Sequence, residues 1–160
     1  MSKKINTFLI IILFALSFSL ISAYFIEYVL GHKPCKLCLY QRYPYILSII
    51  LIGIIFLFKK NIKIYLLLLS IISLAGAVVA FYHFGIEQGF FNEYGVCESK
   101  TLEQGLSKED ILKELKQNTI SCKEVTFELF GLSLASINAI FSFILSCIFL
   151  QLYKNYENYR

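Results

Sequence analysis

The segment between the first two apolar runs of the chain, residues 35–42, reads CKLCLYQR. It places Cys35 and Cys38 in C-x-x-C spacing and the fixed positive charge of Arg42 four residues later. Pro34 stands directly before the pair, and because proline has no backbone N–H, the preceding helix is expected to end before it. The segment therefore predicts a short connection between two helices, with both thiols at or near the first turn of the second helix.

Outward from this segment, long apolar runs dominate the chain, which has 160 residues of which 58% are hydrophobic. A soluble domain of this size could not bury so much apolar surface. The runs cover residues 5–30, 43–58, 64–84 and 130–153. Crossing the hydrocarbon core takes about 20 apolar residues, and a backbone in lipid must satisfy its own hydrogen bonds, as helices do. The sequence predicts an all-α membrane protein, a four-transmembrane-helix bundle forming a single domain over residues 1–160.

Two of these runs need comment. The first follows Lys3 and Lys4, as in a signal peptide, but it exceeds the usual apolar region of about 7 to 15 residues and lacks an A-x-A-like cleavage site, so a retained helix is expected. The second run is short and is expected to extend over Gln41 and Arg42 at one end and Lys59 at the other, since long basic side chains reach the interface.

Four spans place both termini on one side of the membrane. Seven basic residues lie on that side and eight on the other, but several lysines of the long loop are far from any span and count less. Four of the five cysteines lie in the two outer loops, residues 31–42 and 85–129. Because paired cysteines suit an oxidising compartment, the termini are predicted in the cytoplasm and the cysteine loops outside it.

The long loop is the main polar segment. From residue 87 to 128 it holds nine acidic residues and five lysines. Ser107 is a plausible N-cap with Asp110 three residues on, which predicts a short helix around residues 106–115. We expect this helix to lie on the membrane surface; a short solvated helix is the alternative.

The cysteine spacing argues against two cofactors. A zinc site of four cysteines usually uses two closely spaced pairs, whereas Cys97 and Cys122 are 25 residues apart, so no metal site is expected. A c-type haem site needs histidine directly after the second cysteine, and Leu39 stands there.

The two cysteine pairs differ in what they favour. A bond between Cys97 and Cys122 could be a structural staple or a redox disulfide, and both possibilities stay open at this point. A bond between Cys35 and Cys38 closes almost no loop, and C-x-x-C pairs are typically redox-active. A helix N-terminus and Arg42 would stabilise a thiolate there. Electrons from such a pair need an acceptor, and a lipid-soluble quinone fits, with Arg42 as a permanently charged hydrogen-bond donor.

Residues 35–42 resemble the DsbB family of bacterial membrane thiol oxidoreductases, as do residues 82–88, 121–125 and 130–133 and the four spans around them. The resemblance implies quinone-dependent oxidation of a DsbA-like periplasmic thioredoxin-fold protein, which drives disulfide bond formation. It implies the bacterial inner membrane, with the cysteine loops in the periplasm, ubiquinone or menaquinone as the cofactor, and no nucleic-acid partner.

The same resemblance implies roles for the cysteines. Cys97 would exchange with the partner's reactive cysteine, and Cys122 would resolve that exchange. Electrons would pass from the Cys97/Cys122 pair to the Cys35/Cys38 pair, and Cys38 would face the quinone.

It also implies roles for two residues near the quinone. Arg42 would hold the quinone and stabilise the Cys38 thiolate, and His83 would be a secondary quinone neighbour. Outside these roles, Glu27 is expected to meet water, and Cys147 is expected to be a buried, inert thiol.

Three alternatives remain. The protein could be a specialised relative that serves one dedicated partner. It could be a vitamin K epoxide reductase-like bundle, although there the quinone-side C-x-x-C lies by the last helix. It could also be a non-catalytic membrane scaffold stapled by disulfides.

Overall fold

The computed structural model of the chain describes residues 3–92, 121–123, 127–129 and 131–157. Within these residues the chain forms five α-helices and one two-stranded antiparallel hairpin. In chain order they are α1 (Lys3–Tyr28), α2 (Lys36–Tyr40), α3 (Arg42–Phe58), α4 (Ile62–Glu87), β1 (Glu128–Leu129), β2 (Leu132–Ser133) and α5 (Leu134–Lys154).

Four helical stretches in the described part of the chain are long and apolar enough to cross a membrane. They are Lys3–Tyr28, Lys36–Phe58, Ile62–Glu87 and Leu134–Lys154, the second of which joins α2 and α3. The predicted four-helix membrane bundle is therefore confirmed.

The helix ends differ from the predicted spans by a few residues. The first span ends at Tyr28 rather than residue 30, because the chain turns at Gly31, whose φ of +77° suits glycine. The second span begins at Lys36, so it includes residues 41 and 42, and it ends at Phe58, after which Lys59 caps it in the left-handed conformation.

The later spans differ for other reasons. The third span continues past residue 84 to Glu87. The fourth begins at Leu134 rather than residue 130, because β1 and β2 form a short hairpin just before it, with Gly131 at φ +77° in its turn. This hairpin is not predicted from the sequence. The helix predicted around residues 106–115 lies outside the described residues.

The core of the bundle is apolar and draws on all four spans. Its buried side chains are Ile5, Leu9, Ile12, Leu16, Tyr45, Ile52, Ile55, Ile62, Leu66, Leu69, Leu145, Phe149 and Leu152. Helices α4 and α5 also approach closely through serines: Ser70 Oγ donates to the Ser146 carbonyl at 3.1 Å, and Ser146 Oγ donates to the Ser70 carbonyl at 3.0 Å. Small residues and such reciprocal hydrogen bonds are typical of helix packing in lipid.

The outer surface of the bundle carries large exposed apolar side chains, as expected for a surface that faces lipid. Cys147 lies on this surface, so the prediction that it is buried is wrong. The reason is helical periodicity, because Phe143 and Leu150 lie four residues before and three residues after it and are exposed on the same face of α5.

The start of α3 is held close to α4. A Cβ placed on Gly76 would lie 3.2 Å from Pro44 Cβ and 3.3 Å from its Cγ. Glycine at this position lets the first turn of α3, which begins at Arg42, pack directly on the α4 backbone.

A candidate thiol redox site

The C-x-x-C pair lies at the N-terminus of α2. Cys35 is the N-cap residue, with extended backbone, and its Sγ accepts a hydrogen bond from the Cys38 backbone N–H at 3.3 Å. The two sulfur atoms are 2.9 Å apart, within hydrogen-bonding distance, and both thiols are free. Pro34 and the N-cap geometry thus place the thiols where the sequence predicts them, at the first turn of the second span.

His83 reaches this pair from the last turns of α4. Its side chain is buried, and Nε2 lies 3.4 Å from Cys35 Sγ. Glu87, one turn further along α4, places Oε1 3.6 Å from the same nitrogen. The structure places His83 against a thiol, a contact that is not predicted from the sequence, and its role as a quinone neighbour stays a prediction.

A chain of hydrogen bonds across the bundle orients the His83 ring. The Tyr45 hydroxyl donates to Asn138 Oδ1, and Asn138 Nδ2 donates to Gln41 Oε1 at 2.5 Å. Gln41 Nε2 in turn lies 2.8 Å from His83 Nδ1. Because the Gln41 oxygen already accepts from Asn138, its NH₂ group donates to Nδ1. Neutral His83 therefore carries its proton on Nε2, which points that N–H at Cys35.

Gln41, Tyr45 and Asn138 are not predicted as site residues from the sequence. They were detectable in principle, because uncharged polar side chains within apolar spans usually face the interior of a bundle. Which of them meet depends on the rotation of α3 and α5 about their axes.

The environment of Cys35 favours its thiolate. The pKa of this thiol is lowered from the ordinary 9.0 to about 5. The main cause is the hydrogen bond with Cys38; burial acts in the opposite direction, and His83 and the Cys38 backbone N–H add to the lowering. Since the helix N-terminus and His83 both face Cys35, the proton shared by the two sulfurs belongs on Cys38. The sequence predicts the stabilised thiolate at Cys38; the structure favours Cys35.

The second predicted cysteine pair is represented by Cys122, which is buried and disulfide-bonded. The ligand atoms of Cys35, His83 and Cys122 all lie within 4.8 Å of one another. Cys97, the partner that the sequence predicts for Cys122, lies outside the described residues. The structure thus brings a cysteine of the long loop to the C-x-x-C pair, although Cys122 lies 87 positions after Cys35 along the chain.

A cavity of about 580 Å³ adjoins this site between α1, α3 and α5. Its polar wall includes Cys38, Gln41, Arg42 and Asn138, and most of the remaining lining is apolar. Cys35 and His83 do not line it. The volume and the mixture of an apolar wall with a few polar groups are typical of small-molecule binding sites.

Arg42 and Glu27 form an ion pair in the wall of this cavity. Arg42 Nη1 donates to Glu27 Oε2 at 2.6 Å, and the guanidinium lies 4.7 Å from the centre of the Tyr24 ring. The two side chains are only 12% and 19% exposed. The prediction that Glu27 meets water is therefore wrong, because at the end of an apolar span a carboxylate is stabilised by the nearest cation. The positive charge of Arg42 in the cavity wall is therefore neutralised by Glu27.

Comparison with known proteins places most of the chain in one family. The family model described as "Disulfide bond formation protein DsbB" matches residues 5–152. A Rickettsia prowazekii (strain Madrid E) protein described as "Uncharacterized protein RP370" is 33% identical over 154 residues, which cover 94% of this chain and 86% of that protein.

A second relative carries a functional description. A Bacillus subtilis (strain 168) protein described as "SPbeta prophage-derived disulfide bond formation protein B" is 34% identical over 91 residues, which cover 54% of this chain and 57% of that protein. No solved structure matches the chain. The protein is thus a multi-pass membrane oxidoreductase with a role in disulfide bond formation, and the chain belongs to the DsbB family.

Proposed function

We propose that the protein is a quinone-dependent oxidase of a DsbA-like periplasmic thioredoxin-fold protein. It acts in the bacterial inner membrane with both termini in the cytoplasm. The observation that supports this most is the position of Cys35, whose Sγ lies within 4.8 Å of Cys122 Sγ and 2.9 Å from Cys38 Sγ. Cys38 in turn lines a cavity of about 580 Å³. A thiol so placed can exchange with the loop disulfide and release a thiolate next to a bound acceptor.

The exchange begins at the loop. A thiolate of the partner attacks Cys97 of the Cys97–Cys122 disulfide, which forms a mixed disulfide and releases Cys122 as a thiolate. Cys122 attacks Cys35 of the oxidised C-x-x-C pair, so that a Cys35–Cys122 bond forms and the Cys35–Cys38 bond breaks. Cys38 leaves as a thiolate at the cavity.

The remaining steps restore the loop. The partner's second thiol attacks the mixed disulfide, so the partner leaves oxidised and Cys97 becomes a thiolate. Cys97 then attacks Cys122, which re-forms the loop disulfide and releases Cys35. The electron pair of the partner now resides on the two thiols of the C-x-x-C pair. The hydrogen bond from His83 Nε2 stabilises Cys35 as it leaves.

The cavity fits a quinone head group, either ubiquinone or menaquinone. When bound, the quinone supplies the two-electron acceptor that returns Cys35 and Cys38 to a disulfide. Arg42 and Asn138 would hold it through N–H groups directed at its carbonyl oxygens. Arg42 uses Nη1 for Glu27, and its guanidinium has five N–H donors in total. Because Glu27 offsets the charge, Arg42 would offer a donor to a neutral ligand without a large net charge in the wall.

The relay is tested with the purified full-length protein and a reduced thioredoxin-fold partner in quinone-containing micelles. Loss of partner thiols is followed for the wild type, Cys38→Ser and Cys97→Ser, with Cys147→Ser as a matched control. We expect the control to match the wild type and both test variants to stop multiple turnover, because Cys38→Ser cannot form the C-x-x-C disulfide and Cys97→Ser cannot form the loop disulfide. Multiple turnover by either test variant would overturn the relay. A stapled scaffold would instead keep every disulfide when quinone is depleted, whereas the relay accumulates reduced cysteines.

A further inference from the structure

Three buried metal-binding side chains converge at the thiol site. Cys35, His83 and Cys122 place one ligand atom each within 4.8 Å of the others, and Cys38 Sγ lies 2.9 Å from Cys35 Sγ. Thiolate and imidazole are the ligands that Zn²⁺ prefers, and three cysteines with one histidine form a common structural zinc set. We propose that the reduced protein binds one Zn²⁺ ion through Cys35, Cys38, His83 and Cys122.

Three of the four ligand atoms, those of Cys35, His83 and Cys122, require only small side-chain movements, whereas Cys38 Sγ, 2.9 Å from Cys35 Sγ, has to rotate toward the other two ligands. Tetrahedral zinc with Zn–S bonds of about 2.3 Å and Zn–N bonds of about 2.0 Å holds its ligand atoms about 3.4 to 3.8 Å apart. Cys35 Sγ and His83 Nε2 already lie at 3.4 Å, while the Cys35 and Cys38 sulfurs have to separate by roughly 1 Å. The Cys38 backbone N–H stays directed at Cys35 Sγ, which stabilises a metal-bound thiolate.

The donors come from three separate segments of the chain. They are the start of α2, the last turns of α4, and residues 121–123 before the hairpin. The sequence disfavours a zinc site because Cys97 and Cys122 are not a closely spaced pair. In the structure Cys122 instead joins the C-x-x-C pair, so the spacing rule does not apply to this cluster.

The hydrogen-bond chain behind His83 can support a metal-bound ring. A histidine that binds through Nε2 carries its proton on Nδ1 and has to donate it. Rotation of both the Gln41 and the Asn138 amides presents the Gln41 oxygen to Nδ1 and the Gln41 NH₂ group to Asn138 Oδ1. Asn138 Nδ2 then donates to the Tyr45 hydroxyl, which donates to Ser142 Oγ at 3.2 Å. The hydrogen-bond chain from His83 to Ser142 is therefore also complete when its donors and acceptors are reversed.

Binding of this kind depends on the redox state. Cys122 is a ligand only after its disulfide has taken up two electrons and two protons, from a dithiol protein or from a phosphine in the test tube. Zinc then displaces the thiol protons. A zinc ion held by Cys35 and Cys122 blocks disulfide exchange between them, so zinc would inhibit the reduced protein.

The test uses the full-length protein with Cys147→Ser as background, which removes a thiol outside the cluster. The protein is reduced with a phosphine, incubated with zinc chloride alone, and freed of excess metal by gel filtration. We expect about one zinc ion per reduced chain and none on chains with intact disulfides. Absence of zinc from the reduced protein, or equal zinc on the oxidised protein, would overturn the proposal.

Matched variants identify the ligands. Removal of a ligand in Cys38→Ser, Cys122→Ser or His83→Ala should lower zinc affinity by about tenfold or more. Cys97→Ser and Glu87→Gln should keep the zinc, because neither residue belongs to the proposed set. Loss of zinc in either of these two variants would overturn that set.

A spectroscopic measurement distinguishes loss of a ligand from misfolding of a variant. Co²⁺ bound in place of zinc shows thiolate-to-metal charge-transfer absorption, which should weaken with each cysteine ligand removed. Zinc should also slow the alkylation of Cys35 and Cys122 in the wild-type background. An unchanged spectrum in Cys122→Ser would contradict the assignment. Neither the cobalt spectrum nor the alkylation rate requires quinone or the partner protein. Failure of the zinc proposal can therefore be distinguished from failure of the proposed relay.

Discussion

His83 Nε2 lies 3.4 Å from Cys35 Sγ and so connects the end of α4 to the N-cap of α2. The contact is buried on both sides, with His83 2% and Cys35 4% exposed. In such surroundings a hydrogen bond to sulfur is electrostatically strong, because little water competes for it. After the hydrogen bond with Cys38, which is the main cause, the contact with His83 therefore helps a buried thiol to favour its charged form.

The first prediction concerns the pH dependence of Cys35. In the reduced protein, alkylation of this thiol should fall only as the pH drops through about 5, because the thiolate is the reacting form. In His83→Ala the pKa should rise toward the ordinary 9.0, so reactivity near neutral pH should fall. The measurement is the alkylation rate of Cys35 against pH.

A matched control for this prediction is His32→Ala, which removes the other histidine of the chain. His32 packs edge-on against Phe127 instead of the thiol pair, so the pH profile should stay at its wild-type position. A His83→Ala profile that coincides with the wild type would show that His83 does not stabilise the Cys35 thiolate.

The second prediction concerns the hydrogen-bond chain. Asn138→Leu should lower the free energy of unfolding by about 1 to 3 kcal/mol, because buried polar groups of Tyr45 and Gln41 lose their partner. It should also raise the pKa of Cys35, by less than His83→Ala does, because the His83 ring is no longer oriented. Both effects are measured in detergent, by denaturant unfolding and by the alkylation profile.

Ser70→Ala is the control for Asn138→Leu. It removes a buried hydrogen bond to the Ser146 carbonyl within the α4–α5 contact, away from the thiols. We expect a loss of stability without a change in the Cys35 profile. If both variants moved the profile equally, the chain would have no specific effect on His83.

The third prediction concerns the cavity. Arg42→Ala should raise the quinone concentration for half-maximal turnover by about tenfold or more, since a charged hydrogen-bond donor to the ligand is lost. For Arg42→Lys, the quinone concentration for half-maximal turnover should lie between those of the wild type and Arg42→Ala. Lysine keeps the positive charge but lacks the planar set of N–H donors of a guanidinium. Turnover with a reduced thioredoxin-fold partner is measured against quinone concentration.

Lys36→Ala provides the matched charge removal, since this lysine is exposed at the start of α2 and does not line the cavity. Its quinone dependence should equal that of the wild type. Equal quinone dependence of Arg42→Ala and the wild type would remove Arg42 from the proposed binding site.

The fourth prediction concerns the contact that positions α3. Gly76→Ala should destabilise the protein by about 1 to 3 kcal/mol, because the new methyl group would press on the rigid Pro44 ring. Gly53→Ala, whose added Cβ meets nothing within 4 Å, should have little effect. Denaturant unfolding of the two variants in detergent distinguishes them, and equal stability would contradict the close α3–α4 approach.

The sequence predicts the parts of this molecule that depend on local pattern. The four spans follow from uninterrupted apolar runs, and Pro34 with the C-x-x-C spacing places the thiols at a helix start. The bundle itself needs no long-range information, because each span is apolar enough to enter a membrane alone.

The partners inside the bundle follow from tertiary structure instead. The pairing of Glu27 with Arg42 depends on how α1 packs against α3, and the chain from Tyr45 to His83 depends on which face of each helix turns inward. The approach of Cys122 to Cys35 links residues far apart in sequence. Sequence spacing carries none of these relationships, which is why the contact between His83 and Cys35 is not predicted from the sequence.

The cavity between α1, α3 and α5 has one further consequence. Phe18 and Phe25 of α1 line it and are also largely exposed on the surface that faces lipid. A hydrophobic ligand of this cavity would therefore arrive by diffusion in the plane of the bilayer and not from the aqueous phase. Its occupancy would follow the mole fraction of ligand in the lipid, and a dissociation constant in molar units would change with the amount of detergent present.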